Sequence, residues 1–209
     1  MRIHAERHRR MGSVRAVILA LVLLGAAGCT PDSAGSLTDV IADDETSGQP
    51  PESTGQEKPT LDGATFTDPE GHYTLVVPTE WEARHGVAGE GVEVWLVGEP
   101  DATFTPNVNV MTEDVVGMSL SDYLALSISN APNVITDFEL LSSDLITGAG
   151  GQELAVMEST GLGLQFLGVM GMGPDGPVIV TLSVPPDRFA AIKESAYPYM
   201  LTLELSAAT

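Results

Sequence analysis

Basic residues are scarce in this sequence. Nine Lys and Arg stand against 29 Asp and Glu over 209 residues. Five of the nine, Arg2, Arg7, Arg9, Arg10 and Arg15, crowd into residues 1–15; the remainder holds only Lys58, Arg84, Arg188 and Lys193. A surface so poor in cations repels the phosphates of nucleic acids, which argues nucleic acid out as a partner. Cysteine is scarcer still. The single Cys29 can form no disulfide within the chain. No Cys or His cluster with metal-ligand spacing exists, so no transition-metal site is expected. Beyond residue 28 only two histidines remain, His72 and His85, and both read as solvated loop residues. No G-x-S-x-G elbow is present. Long apolar runs are also lacking. The one run, Ala16–Ala27, leaves 13 residues between Arg15 and Cys29, against roughly 20 for a bilayer-spanning helix.

That short run has another use. A basic start, a brief apolar stretch and small residues before a cut make an export signal. Arg9 and Arg10 are followed by Met11-Gly12-Ser13, which resembles the general secretory route more than the twin-arginine one. Ala26-Ala27-Gly28-Cys29 resembles the bacterial lipobox, with Ala26 where Leu is usual. The resemblance implies cleavage between Gly28 and Cys29 and lipidation of Cys29. Two or more acyl chains make a stable membrane anchor. The expected address is the outer face of the bacterial cytoplasmic membrane.

Composition divides the rest. Residues 29–60 are rich in Ser, Thr, Pro, Gly, Asp and Glu and contain no aromatic side chain. Such a segment buries too little apolar surface to offset its conformational entropy. It reads as a disordered tether of about 31 residues after Cys29, spanning roughly 30 Å as a flexible coil. Its acidic cluster, Asp39, Asp43, Asp44 and Glu45, lacks the ligand spacing of a calcium loop. Residues 61–209 carry aromatics, recurring apolar runs and turn signals, a normal span for one domain.

Within that domain, "HYTLVVP" alternates Tyr73, Leu75 and Val77 with Thr74 and Val76. "GVEVWLVG" sets Val92, Val94 and Leu96 against Glu93, Trp95 and Val97, and "PNVNVMTEDV" sets Val108 and Val110 against Asn107 and Asn109. Period-2 patterns of this kind predict strands. "GQELAVMES", "GLQFLGVMGMG" and "PVIVTLSV" are further strands; several are apolar on both faces, which implies a sheet covered on both sides. Ser119 and Asp122 form a capping box before "LSDYLALSISN", whose Leu120, Tyr123, Leu124 and Ile128 share a helical face. A second helix starts near Pro186 and Asp187 and aligns Phe189, Ile192 and Ala196. Pro198 is expected to end or kink it. The final "MLTLEL" fits a helical turn or a short strand. The fold class is α+β, a mostly antiparallel sheet flanked by helices.

Taken in order, "YTLVVPTEW", "PNVNVMTED", "SLSDYL" and "VIVTLSVPPDRFAAIKESAYPYML" resemble the PsbP/Mog-like α/β/α sandwich, over residues 64–205. Within that fold the sequence is similar to exported lipoproteins of the DcrB type and of the actinobacterial LpqN/LpqT type. The resemblance implies an accessory or binding role. The family carries no shared catalytic residues to transfer, and no cofactor is implied.

Other candidates weigh less. "GMGPDG", residues 171–176, formally fits G-x-G-x-x-G, but a dinucleotide loop opens a helix. Here a β-run follows Pro174 and Asp175, and a hairpin is expected. Asp68 and Glu70 in "TDPEG" read as a turn rather than a cation site. Trp81 and Trp95 read as packing on the sheet.

The functional expectation is a lipid-anchored envelope lipoprotein with a non-enzymatic binding domain, monomeric, whose partner is an unknown envelope protein or an apolar ligand. Two alternatives stay open. One is an apolar-ligand carrier, with Met111, Met157 and Met170 lining a pocket between helix and sheet, because Met-rich walls adapt to varied apolar groups. The other is an exported hydrolase whose site is assembled from scattered residues, using His72 or His85, since triads are recognised by geometry and not by order.

Loss of residues 1–28 removes Glu6 and five arginines, leaving 28 acidic against 4 basic residues. This imbalance fits a saline habitat, or recruitment of a basic partner or cations. Self-repulsion on this scale destabilises the compact state, and its range shrinks from ~30 Å at 0.01 M salt to ~3 Å at 1 M. The melting temperature should therefore rise by about 3 °C, on the order of 1 kcal/mol, between those sodium chloride concentrations. Calcium at matched ionic strength should add nothing. A melting temperature flat across the range contradicts the expectation.

Overall fold

The computed structural model describes residues 61–84, 92–100 and 104–206. Gly28, Cys29, the tether and His85 lie outside them. The element order is β1 (Ala64–Thr67), β2 (Tyr73–Val77), β3 (Glu82–Ala83), β4 (Val92–Leu96), β5 (Asn107–Thr112), α1 (Leu120–Val134), β6 (Glu139–Thr147), β7 (Glu153–Gly161), β8 (Leu164–Gly173), β9 (Gly176–Val184), α2 (Pro186–Met200) and β10 (Glu204–Leu205). Seven strands form one sheet in the order β3-β4-β5-β9-β8-β7-β6, and β1-β2-β10 form a second. Every pairing is antiparallel. The α+β expectation holds.

The layers follow from the period-2 patterns. Val178, Val180, Leu182 and Val184 of β9 point to one face, where they meet Val108 and Val110 of β5 and Leu167 and Val169 of β8. On that face α2 supplies Phe189, Ala196 and Met200, and the small sheet supplies Tyr73 and Leu75. Trp95 is buried in this layer, edge-on to Phe66 at 5.2 Å between ring centroids. The other face carries Ala155, Met157, Met170 and Ile179 under Leu120, Tyr123 and Leu124 of α1. Full burial of each such Val or Leu side chain stabilises by about 1.5–3 kcal/mol, so both covering layers are held mainly by apolar area.

The helices start where their caps are. The Ser119 hydroxyl accepts from the Asp122 N–H at 3.1 Å and donates to the Asp122 carboxylate at 2.7 Å. Pro186 opens α2 at a first-turn position, where its missing N–H costs nothing. Pro198, expected to end or kink α2, lies inside its last turn, and the helix runs on to Met200. A proline there forfeits one intrahelical hydrogen bond, offset by burying Met200 and, just beyond, Leu203. "MLTLEL" divides: Met200 closes the helix, a turn follows, and Glu204–Leu205 pair with β2. On β5, Asn107 and Asn109 alternate with Val108 and Val110, as the period-2 pattern predicts. Both are 1% exposed, because β5 lies between β4 and β9 in a sheet with no bare face at that point.

Residues 171–176 form a hairpin, as expected. Gly173 pairs with Gly176 across Pro174-Asp175. Gly176 has φ +136°, and a Cβ there would collide with the Glu113 carbonyl. Gly71 also has positive φ, +78°, but a Cβ there meets nothing within 4 Å. Gly71→Ala should therefore cost only the left-handed penalty, about 1–2 kcal/mol. Gly176→Ala should cost at least about 1 kcal/mol more, because backbone must move. Urea unfolding of the two variants measures the difference; equal losses contradict it.

Candidate functional site

Three connections meet at one end of the sandwich: the β1–β2 turn, the segment after β5 and the β8–β9 hairpin. They enclose a cleft of about 330 Å³ whose walls include Glu70, His72, Glu113, Asp114, Asp175 and Ser206. The turn is pinned from within. Asp68 N–H donates to the Tyr73 carbonyl at 3.1 Å and Gly71 N–H to the Asp68 carbonyl at 2.8 Å. The Asp68 carboxylate takes the His72 N–H at 3.0 Å and sits 2.8 Å from His72 Nδ1. Glu70 is a further 3.7 Å neighbour of that nitrogen. The chain beyond β10 clamps the same turn: Ser206 N–H donates to the His72 carbonyl at 2.9 Å, and its hydroxyl donates to the Gly71 carbonyl.

His72 is thus not a free, solvated loop residue. Its side chain is 25% exposed and one ring nitrogen is engaged by Asp68. Asp68 and Glu70 do form the expected turn. The cleft is acidic, but among the described residues no three His, Cys, Asp or Glu side chains converge to hold a metal ion. Ser206 has its hydroxyl proton committed to a backbone carbonyl. The cleft therefore presents charge without a nucleophile hydrogen-bonded to a base.

Glu113 is shared with a second feature. Between α1 and the sheet runs a crevice lined by Met111, Met157, Met170 and Ile179 below and Tyr123, Ser127 and Ala131 above, with Glu113 at its polar end. The three methionines singled out from the sequence do come together. The void they line is only about 20 Å³, room for one water. Tyr123 is fully buried. Burial, and then the Glu113 charge, push its phenol well above the ordinary value, so it stays neutral and amphipathic in an apolar wall.

Both tryptophans pack as expected. Trp95 is core. Trp81 packs half-buried against the core at the wall of an open groove, 5.8 Å from the Tyr199 ring, near Arg84, which pairs with Glu82 at 2.8 Å. The sequence also concealed the strand β6, whose "ELLSSDLIT" shows no period-2 burial. Its pattern is exposed on both faces, so only a run of three β-compatible leucines around two serines could have signalled it.

No family model matches the chain, and no curated protein matches it in sequence. Solved structures do. A protein of unknown function from Pseudomonas aeruginosa superposes with a TM-score of 0.51 at 16% identity, covering 71% of this chain and 100% of its own. The cyanobacterial PsbP (CyanoP) of Synechocystis superposes with a TM-score of 0.50 at 16% identity, covering 73% of this chain and 98% of its own. At such identities the likeness speaks for architecture alone, and that architecture, two helices on an extensive antiparallel sheet, is the PsbP-like fold.

Proposed function

We propose that the chain is a lipid-anchored lipoprotein of the bacterial cell envelope, of the LpqN/LpqT or DcrB kind, and that residues 61–209 form a non-enzymatic binding or accessory domain. The observation that supports it best is the state of the polar cleft. His72 Nδ1 is engaged by Asp68 and the Ser206 hydroxyl by the Gly71 carbonyl, so among the described residues of the cleft no hydroxyl nucleophile is hydrogen-bonded to the imidazole. The anchor rests on Ala26-Ala27-Gly28-Cys29 behind an apolar run too short to span a bilayer. The tether of residues 29–60 then holds the domain off the membrane surface.

A second reading, an apolar-ligand carrier, is favoured by one observation: Met111, Met157 and Met170 line one crevice. Ligand sites enclose about 300–1,000 Å³, so α1 would have to lift from the sheet to admit one. Saturable binding of a fluorescent fatty acid that raises the melting temperature supports this reading. Absence of binding up to the probe's solubility limit removes it.

The anchor is tested directly. Cys29→Ser replaces the thiol that carries the thioether-linked lipid with a hydroxyl that cannot. The variant should leave the membrane fraction or accumulate with residues 1–28 attached. Mass spectrometry of the wild-type mature N-terminus should find an acylated Cys29 as residue one. An unmodified Cys29, or a cut elsewhere, overturns the anchor.

A further inference from the structure

The seven-stranded sheet ends on β6, and among the described residues no strand pairs with its outer side. The opposite edge, β3, is two residues long, whereas β6 is nine. Exposed edges are usually blunted by shortness, Lys, Pro or a covering element. β6 contains no Lys and no Pro, and its one irregularity falls between Leu140 and Ser142. Leu140, Leu141 and Leu145 are 37%, 47% and 44% exposed.

The two faces of this edge differ. Directly opposed residues of an antiparallel pair share a face. Leu145 stands opposite Ala155, which is buried under α1, so Leu145 lies on the α1 side. Leu140 stands opposite Ser159, four residues along β7 from Ala155, and so lies on the same side. Asp144 stands opposite Val156 and faces the α2 side, where its charge reaches Tyr197. Glu139 is exposed at the start of the strand. The basic residue nearby, Lys193, is already paired with Glu158. Leu140 and Leu145 therefore lie on one side of the edge, and Asp144 on the other beside half-buried Ile146.

We infer that β6 is a docking edge for an extended segment of an envelope protein, which adds to the sheet as an eighth strand and alternates apolar residues with Lys or Arg. Backbone hydrogen bonds to the outer amides of β6 supply affinity, and the alternation supplies specificity. Apolar side chains of the incoming strand cover Leu140 and Leu145. Its cations meet Asp144 on the other face, and the opposite charges speed encounter. A second copy of this chain fits worse, since it brings a formal net charge of −20 to an edge that is itself acidic. The inference deepens the reading of the domain as a binding module; only the partner's being an envelope protein rests on the anchor.

The test uses the full chain in detergent and a random 12-residue peptide display library. Selected peptides should alternate apolar residues with Lys or Arg and should slow hydrogen exchange of β6 amides. Leu145→Asp should weaken them tenfold or more. Asp144→Lys should do the same and be rescued by peptides carrying Glu in place of the basic residues. Peptides without a basic bias, or indifferent to both variants, overturn the edge while leaving the binding module standing. Failure to select any peptide also overturns the edge. Sedimentation showing a dimer that Leu145→Asp dissolves makes a second copy the occupant and overturns the basic partner.

Discussion

All nine residues of β9 are buried, and most of the architecture follows from that constraint. A strand with no exposed face needs a neighbour on each side and a layer on each face. β5 and β8 supply the neighbours. On one face α2 and the small sheet close over its valines; on the other α1 covers Ile179. The C-terminal strand is recruited for the same reason. Leu203 is fully buried, and β10 pairs with β2 so that the small sheet stays over the core. The polar cleft is then a by-product of closure, formed where three connections end against one another.

Charge acts at a second level. The described cations are all used internally. Arg84 pairs with Glu82, Arg188 donates to the Glu99 carbonyl at 2.8 Å, and Lys193 pairs with Glu158 while lying over the Phe189 ring. Glu158 also accepts from Gln165 at 2.7 Å. Such partly exposed pairs add little stability each, but Lys193–Glu158 ties α2 to β7, and the outer surface is left to carboxylates. The acidity noted from composition is thus expressed outward, where it bears on partners rather than on the fold.

Much of the fold was legible because burial writes a period. Tyr73, Leu75 and Val77 alternate in sequence and are buried in alternation. Ser119 and Asp122 mark the start of α1, and the bonds they make are the ones their side chains favour. Legibility failed where burial stopped being periodic. β6 is exposed on both faces and left no pattern. Nothing local in the sequence marks Asn107 and Asn109 as buried, yet both are. Ser159 stands with them as a buried polar side chain; each leaves a polar atom without a hydrogen-bond partner among the described residues, at a cost of about 1–3 kcal/mol apiece. Of the site, the three methionines were readable as a group by composition alone. The engagement of His72 by Asp68 was not, since "DPEGH" specifies a turn but not which way an imidazole points.

The amino-acid sequence by itself determined the α+β class, both helix starts, the 171–176 hairpin and the charge imbalance, because these depend on local spacing, capping and composition. Which face of each strand is covered, and by what, was decided only in three dimensions. Pro198 stays helical because Met200 and Leu203 find the core. The methionines line a crevice too narrow for a ligand because α1 packs down on them. β6 becomes an open edge because, among the described residues, strand order places nothing beyond it. Strand order depends on contacts between residues far apart in the chain, and no local pattern encodes which neighbour a strand will lack.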